Sequence, residues 1–150
     1  MYLIAHNIRS LHNVGAFFRT ADAFGVEKFF LTGYTGCPPR KEIAKSALGS
    51  EHRVLWEHRE NLDALIFELK GSGMKIIALE IAHDSIPIDQ FEIPSRNIAL
   101  IVGSEVEGIS PTILNQCDAI VSIPMIGMKK SLNVSVATGI ALFAMTQKMQ

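Results

Sequence analysis

Short apolar runs alternate along the chain with segments of helical periodicity. The runs read as strands at Tyr2–Ala5, Lys28–Thr32, Arg53–Trp56, Lys75–Leu79, Ile98–Val102 and Ala119–Ile123. They are rich in Ile, Val, Leu and Phe, as strands of a buried parallel sheet are. Between them, Val14, Phe17, Ala21 and Phe24 recur at helical spacing, with Gly25 as the stop. Leu62, Leu65, Ile66 and Leu69 do the same before Gly71 and Gly73. Ser110-Pro111 reads as an N-cap followed by proline in the first turn, where a missing N–H costs little. This alternation predicts an α/β fold: one domain, residues 1–150, with a mostly parallel sheet flanked by helices.

The last pattern is different. From Asn133 to about Lys148 the apolar residues point nearly all round, through Val134, Val136, Ile140, Leu142, Phe143 and Met145. A one-sided surface helix carries a polar stripe. This helix is expected to be buried on several faces, either against a second copy of the chain or at the centre of one copy.

Length and composition narrow the class. A chain of 150 residues, 48% hydrophobic, buries enough surface to need no disulfide or metal staple, and it is no disordered polymer. Cys37 and Cys117 lie far apart and match no metal-ligand spacing; they fit free thiols in a reducing, cytoplasmic setting. The five histidines show no ligand spacing either, so no metal is expected. The N-terminus lacks the layout of a signal peptide, and no stretch reads as a membrane span.

The net charge of −1 argues against binding nucleic acid through bulk charge. The charges are nevertheless segregated. Residues 1–21 hold Arg9 and Arg19 and no acid; residues 33–50 hold Arg40, Lys41 and Lys45 against Glu42; residues 119–150 hold Lys129, Lys130 and Lys148 and no acid. The ends and the 33–50 loop would share a positive face if the fold brought them together.

Several motifs fail on inspection. Gly103-Ser104-Glu105-Val106-Glu107-Gly108 has P-loop glycine spacing but continues into Ile109-Ser110, with no lysine for a phosphate. No dinucleotide fingerprint follows the first strand, and neither the zinc-protease nor the nucleophile-elbow pattern occurs.

Three segments carry more weight, because polar residues interrupt patterns that would otherwise be apolar. In the first, residues 7–26, Asn13 stands near a helix start, Gly15 permits close backbone approach, and Arg19 is able to reach a phosphate. The plainer alternative is that Asn13 caps the helix and Arg19 pairs with Asp22. In the second, residues 98–109, a strand ends in a glycine-bracketed acidic loop, at the strand end where open α/β sheets hold ligands. In the third, residues 123–137, a strand leads through a loop to Ser131 and Asn133 at the start of the last helix; the alternative there is capping alone.

In this order, Asn13…Arg19, Gly103-x-Glu105-x-x-Gly108, and Ile123-Pro124-Met125 with Ser131-Leu132-Asn133-Val134-Ser135 resemble the signature of the SpoU (TrmH) family of RNA ribose methyltransferases, within the SPOUT class. The resemblance spans Asn7 to Ala144. It implies a parallel sheet whose C-terminal part forms a deep trefoil knot, a homodimer, and S-adenosylmethionine as cofactor with S-adenosylhomocysteine as product. By likeness, Leu79, Gly103, Ile123, Met125, Ser131 and Leu132 would hold the cofactor. Arg19, Asn13, Glu105, Ser131 and Asn133 would form the catalytic site for methyl transfer to a ribose 2′-hydroxyl. The family assigns Arg19 the proton-accepting role; a guanidinium keeps its proton in proteins, so a phosphate clamp is the other role open to it. Arg9, Arg19, Arg40, Lys41, Lys45, Lys129 and Lys130 are the candidate RNA contacts, with transfer RNA favoured over ribosomal RNA as partner. The competing readings are a non-catalytic α/β module that binds RNA or a nucleotide, and a structural dimerisation protein.

Overall fold

The computed structural model describes residues 1–150. Seven parallel-paired strands form one sheet: β1 (Tyr2–His6), β2 (Lys28–Thr32), β3 (Trp56–Arg59), β4 (Lys75–Leu79), β5 (Ile86–Pro87), β6 (Ile98–Val102) and β7 (Ala119–Ser122). Their order across the sheet is β3-β2-β1-β6-β4-β7-β5. Five helices pack around it: α1 (Leu11–Ala23), α2 (Lys41–Ala47), α3 (Leu62–Gly71), α4 (Pro111–Leu114) and α5 (Val134–Met149).

Strand alternation divides the core in two. Leu3, Ala5, Phe29, Leu31, Leu100 and Val102 face the layer formed by α1, α2 and α5. Ile4, Phe30, Ala78, Ala99 and Ile101 face α3 and α4. The central β6 is buried along its whole length, as its unbroken apolar run requires.

Local chemistry sets the ends. Ser10 caps α1 by accepting from the Asn13 N–H (3.2 Å), so Asn13 is not the cap. Gly25 follows that helix with φ +64°, a conformation that glycine adopts without strain. Ser110 accepts from Ile113 N–H, with Pro111 in the first turn of α4. Asn133 caps α5 by accepting from Ser135 N–H (2.9 Å); Ser131 does not cap.

Some expectations are corrected. The strand expected at Arg53–Trp56 begins only at Trp56 and runs to Arg59. Ser50–His52 form a single 3-10 turn, and Arg53 turns back to Asp22 (Nε to Oδ2, 2.9 Å). An edge strand needs no continuous apolar run, and β3 is polar: Glu57 accepts from Lys28 (2.6 Å) and Arg59 (3.2 Å). The 33–50 loop contains α2, whose buried positions are only Ile43 and Ala47. Arg19 does not pair with Asp22, whose carboxylate is taken by Arg53 and Ser50. Helix α5 buries Thr138, Ala141, Leu142 and Met145, but Val136 (51%), Ile140 (39%) and Phe143 (54%) remain exposed. Within one chain it is buried on one face, not on several.

Candidate active site

The site forms where β4, β6 and β7 end. Beyond β6, residues 103–109 fold back on themselves: Ser104 and Gly108 form an isolated antiparallel bridge, and Gly108 N–H donates to Ser104 O (2.9 Å). Ser104 Oγ accepts from Glu107 N–H (3.0 Å). The two glycines are required by space. A Cβ at Gly103 would lie 2.6 Å from the Gly108 carbonyl oxygen, and Gly108 itself has φ +63°.

Glu80, immediately after β4, holds this loop in place. Its Oε2 accepts from Ile109 N–H and its Oε1 from Ile81 N–H, both at 2.9 Å. A Cβ at Gly108 would come within 2.5 Å of that Oε2. The sequence reading missed Glu80. Its only signal is a carboxylate placed directly after an apolar strand, in register with a glycine-bracketed loop.

Behind the loop lies a cavity of about 440 Å³. Leu79, Gly103, Ile123, Met125, Ser131 and Leu132, the residues expected to hold a cofactor, all line it. So do Glu80, Glu105 and Glu107, and no Lys, Arg or His does. The cavity thus combines apolar walls with three carboxylates and no base, which suits a ligand with an aromatic body and a positive centre and disfavours a phosphate. A wider concavity of about 510 Å³, beside His6, Glu60 and Asp63, has little apolar wall.

A chain of amides borders the first cavity. Asn13 Nδ2 donates to Glu105 Oε1, and Asn133 Nδ2 donates to Asn13 Oδ1 at 3.4 Å. Asn133 Oδ1 in turn accepts from Ser135 Oγ (2.6 Å). Three expected residues from three distant segments therefore meet: the start of α1, the glycine loop and the start of α5. Glu105 and Ser131 line the cavity; Asn13 and Asn133 stand behind Glu105, and Arg19 does not line it either. Arg19 follows Asn13 by six residues, which turns it about 120° round the helix and about 9 Å along it. Its side chain is exposed, with no ion pair. Gly15 sits on the same helix against α2, where a Cβ would lie 2.9 Å from Ala47 N. Its close approach serves helix packing rather than a ligand.

Twelve of the fourteen Lys and Arg fall into two groups; of the others, Arg96 is exposed, and Lys148 donates to the backbone carbonyls of Ile88, Asp89 and Phe91. Lys28, Arg53, Arg59, Lys70 and Lys75 are all engaged with carboxylates. Arg9, Arg19, Arg40, Lys41, Lys45, Lys129 and Lys130, the candidate RNA contacts, are all exposed, and no ion pair includes any of them. Arg9 lies over the Tyr34 ring at 6.0 Å.

Against known proteins, residues 1–143 match the model of the SpoU rRNA Methylase family. A tRNA (guanosine(18)-2′-O)-methyltransferase of Aquifex aeolicus is 34% identical over 144 residues, 95% of this chain and 67% of its own length. The 23S rRNA (guanosine-2′-O-)-methyltransferase RlmB of Acinetobacter baylyi is 31% identical over 95% of this chain and 58% of its own. The crystal structure of an AdoMet-bound rRNA methyltransferase from Sinorhizobium meliloti superimposes with a TM-score of 0.92 at 28% identity, over 99% of this chain and 56% of that one. The chain thus spans between about half and two thirds of the length of these relatives.

Proposed function

Because the chain belongs to the SpoU rRNA methylase family, we propose that it methylates a ribose 2′-hydroxyl of RNA, using S-adenosylmethionine. The observation that carries this is the acid-lined cavity bordered by the Glu105–Asn13–Asn133 chain. Its donor set fits the cofactor: apolar Leu79, Ile123 and Leu132 for adenine, and carboxylates with no competing base for a sulfonium. Gly103, Met125 and Ser131 complete that wall.

S-adenosylmethionine supplies the electrophilic methyl group and leaves as S-adenosylhomocysteine. The residues of this chain do the positioning. A ribose hydroxyl is a weak nucleophile, so alignment of oxygen with methyl carbon and sulfur contributes much of the rate. Asn13, Glu105 and Asn133 fix one another, so each presents a preorganised polar group. Arg19 clamps the RNA phosphate and stabilises the developing alkoxide while keeping its own proton, and the proton released by the ribose hydroxyl passes to water.

Arg19 is exposed and does not line its own chain's cavity, and the exposed Val136, Ile140 and Phe143 lie on the neighbouring α5, where Phe143 packs against Phe24 just after α1 (ring centroids 6.1 Å). Both observations support a homodimer in which Arg19 serves the partner's site. The strand order β6-β4-β7, with β4 between two later strands, supports the trefoil knot that the family likeness implies. The single sheet supports residues 1–150 as one SPOUT methyltransferase domain. Transfer RNA is the favoured substrate, supported by the Aquifex relative. An RNA substrate and two free thiols support a cytoplasmic setting.

Arg19→Ala tests the assignment. It is expected to lower methyl transfer at least 100-fold, the order typical of removing one transition-state contact, with cofactor affinity by calorimetry near wild type. Transfer at the wild-type rate would refute the role given to Arg19.

A further inference from the structure

Two loops form the lips of the cofactor cavity, and each carries exposed apolar side chains, on the first loop between the exposed Glu105 and Glu107. Val106, in the glycine-bracketed loop, is 80% exposed. On the loop between β7 and α5, Met125 and Ser131 face the cavity, whereas Ile126 and Met128 stand wholly in solvent (103% and 99%). Lys129 and Lys130 follow at once, exposed and without ion pairs.

Single exposed aliphatic residues are ordinary. This arrangement is not single: two apolar tips and two cations without ion pairs share the five residues 126–130 at the mouth of one cavity. A protein partner covering the tips would also desolvate Lys129 and Lys130, which is costly without acids opposite. An unpaired RNA strand brings both complements in one ligand, apolar base faces and phosphates. Ile and Met are among the side chains that proteins press against exposed base steps.

We propose that Ile126 and Met128, with Val106 on the other lip, form a contact surface for unpaired bases flanking the target ribose, while Lys129 and Lys130 hold the adjoining phosphates. The proposal rests on the RNA methyltransferase reading above, and it selects RNA whose target lies in an unpaired segment.

The test uses the full chain, an unmodified tRNA transcript and a perfectly paired RNA duplex, with affinities measured over a range of salt. I126S/M128S is expected to weaken transcript binding about tenfold, with the salt slope and duplex binding unchanged. K129Q/K130Q is expected to lower the salt slope by roughly 1.4, from the per-phosphate contribution for single strands. Calorimetry with S-adenosylmethionine is expected to stay within about twofold for I126S/M128S, since neither side chain lines the cavity. Unchanged transcript affinity, or an equal loss on the duplex, overturns the proposal. So does a loss of affinity accompanied by dissociation to monomers in sedimentation, which would assign this face to a second copy. A wild-type chain that binds neither RNA nor S-adenosylmethionine would remove the underlying reading, not only this surface.

Discussion

Glu80 shows how much a single side chain can fix. Its two oxygens hold N–H groups on either side of the cavity wall, at Ile81 and Ile109. Hydrogen bonds to a charged acceptor contribute about 1.5–3 kcal/mol each, and less where water competes, as at this half-buried site. Glu80→Ala is expected to weaken S-adenosylmethionine binding roughly tenfold in calorimetry while the chain stays folded; unchanged affinity would remove Glu80 from the site. Asp22 offers a pH test. Hydrogen bonds from Arg53 and Ser50 hold its carboxyl below the usual carboxylate range. A lowered folded value means the interaction stabilises fully above the unfolded value and is lost as pH falls through the folded one. Asp22→Asn is therefore expected to flatten the acid limb of stability measured against pH. Cys117 is the opposite case, since burial pushes its thiol up to about 11. It is expected to resist thiol reagents at pH 8 until the chain unfolds. At this scale the residues named by the family resemblance, Gly103, Ser131 and their neighbours, were found together on one cavity wall. The sequence did not display Glu80, whose partner lies 29 residues away and belongs to another strand end.

Elements were legible in proportion to how completely they are buried. The apolar runs at Lys28–Thr32, Lys75–Leu79 and Ile98–Val102 became strands with those same bounds, because each lies inside the sheet. Strand β3 shifted because an edge tolerates Glu57, His58 and Arg59, leaving no run to read. Helix α2 was hidden because two buried positions four apart make too faint a pattern. Its hold on α1 is nonetheless tight. Gly15 lies against the α2 backbone, so Gly15→Ala meets main-chain atoms that cannot yield as a side chain would. The expected loss is about 1–3 kcal/mol by overpacking, partly offset by the better helix propensity of alanine. A lowered midpoint in thermal or urea unfolding checks it.

For the whole molecule, net charge is a poor guide. The sum of −1 hides a division between bases tied into ion pairs and bases left free. Charge segregation along the sequence anticipated most of the free set, Arg9, Arg19, Lys129 and Lys130 lying in acid-free stretches and Arg40, Lys41 and Lys45 outnumbering Glu42 in theirs. The separation of Arg19 from Asn13 around α1, and the exposed apolar face of α5, were not legible, since both depend on the folded helices. Phe143→Glu is expected to yield monomers in sedimentation and to abolish transfer, as Arg19 would lose its partner's site; an active monomer would contradict the shared site. The most direct test of the central claim is chemical. Unmodified tRNA is incubated with the chain and S-adenosylmethionine, digested to nucleosides and analysed by mass spectrometry. The account predicts a methyl group on ribose, formed by the wild type and absent with Arg19→Ala. A methyl group on a base, or none despite measurable cofactor binding, would contradict it.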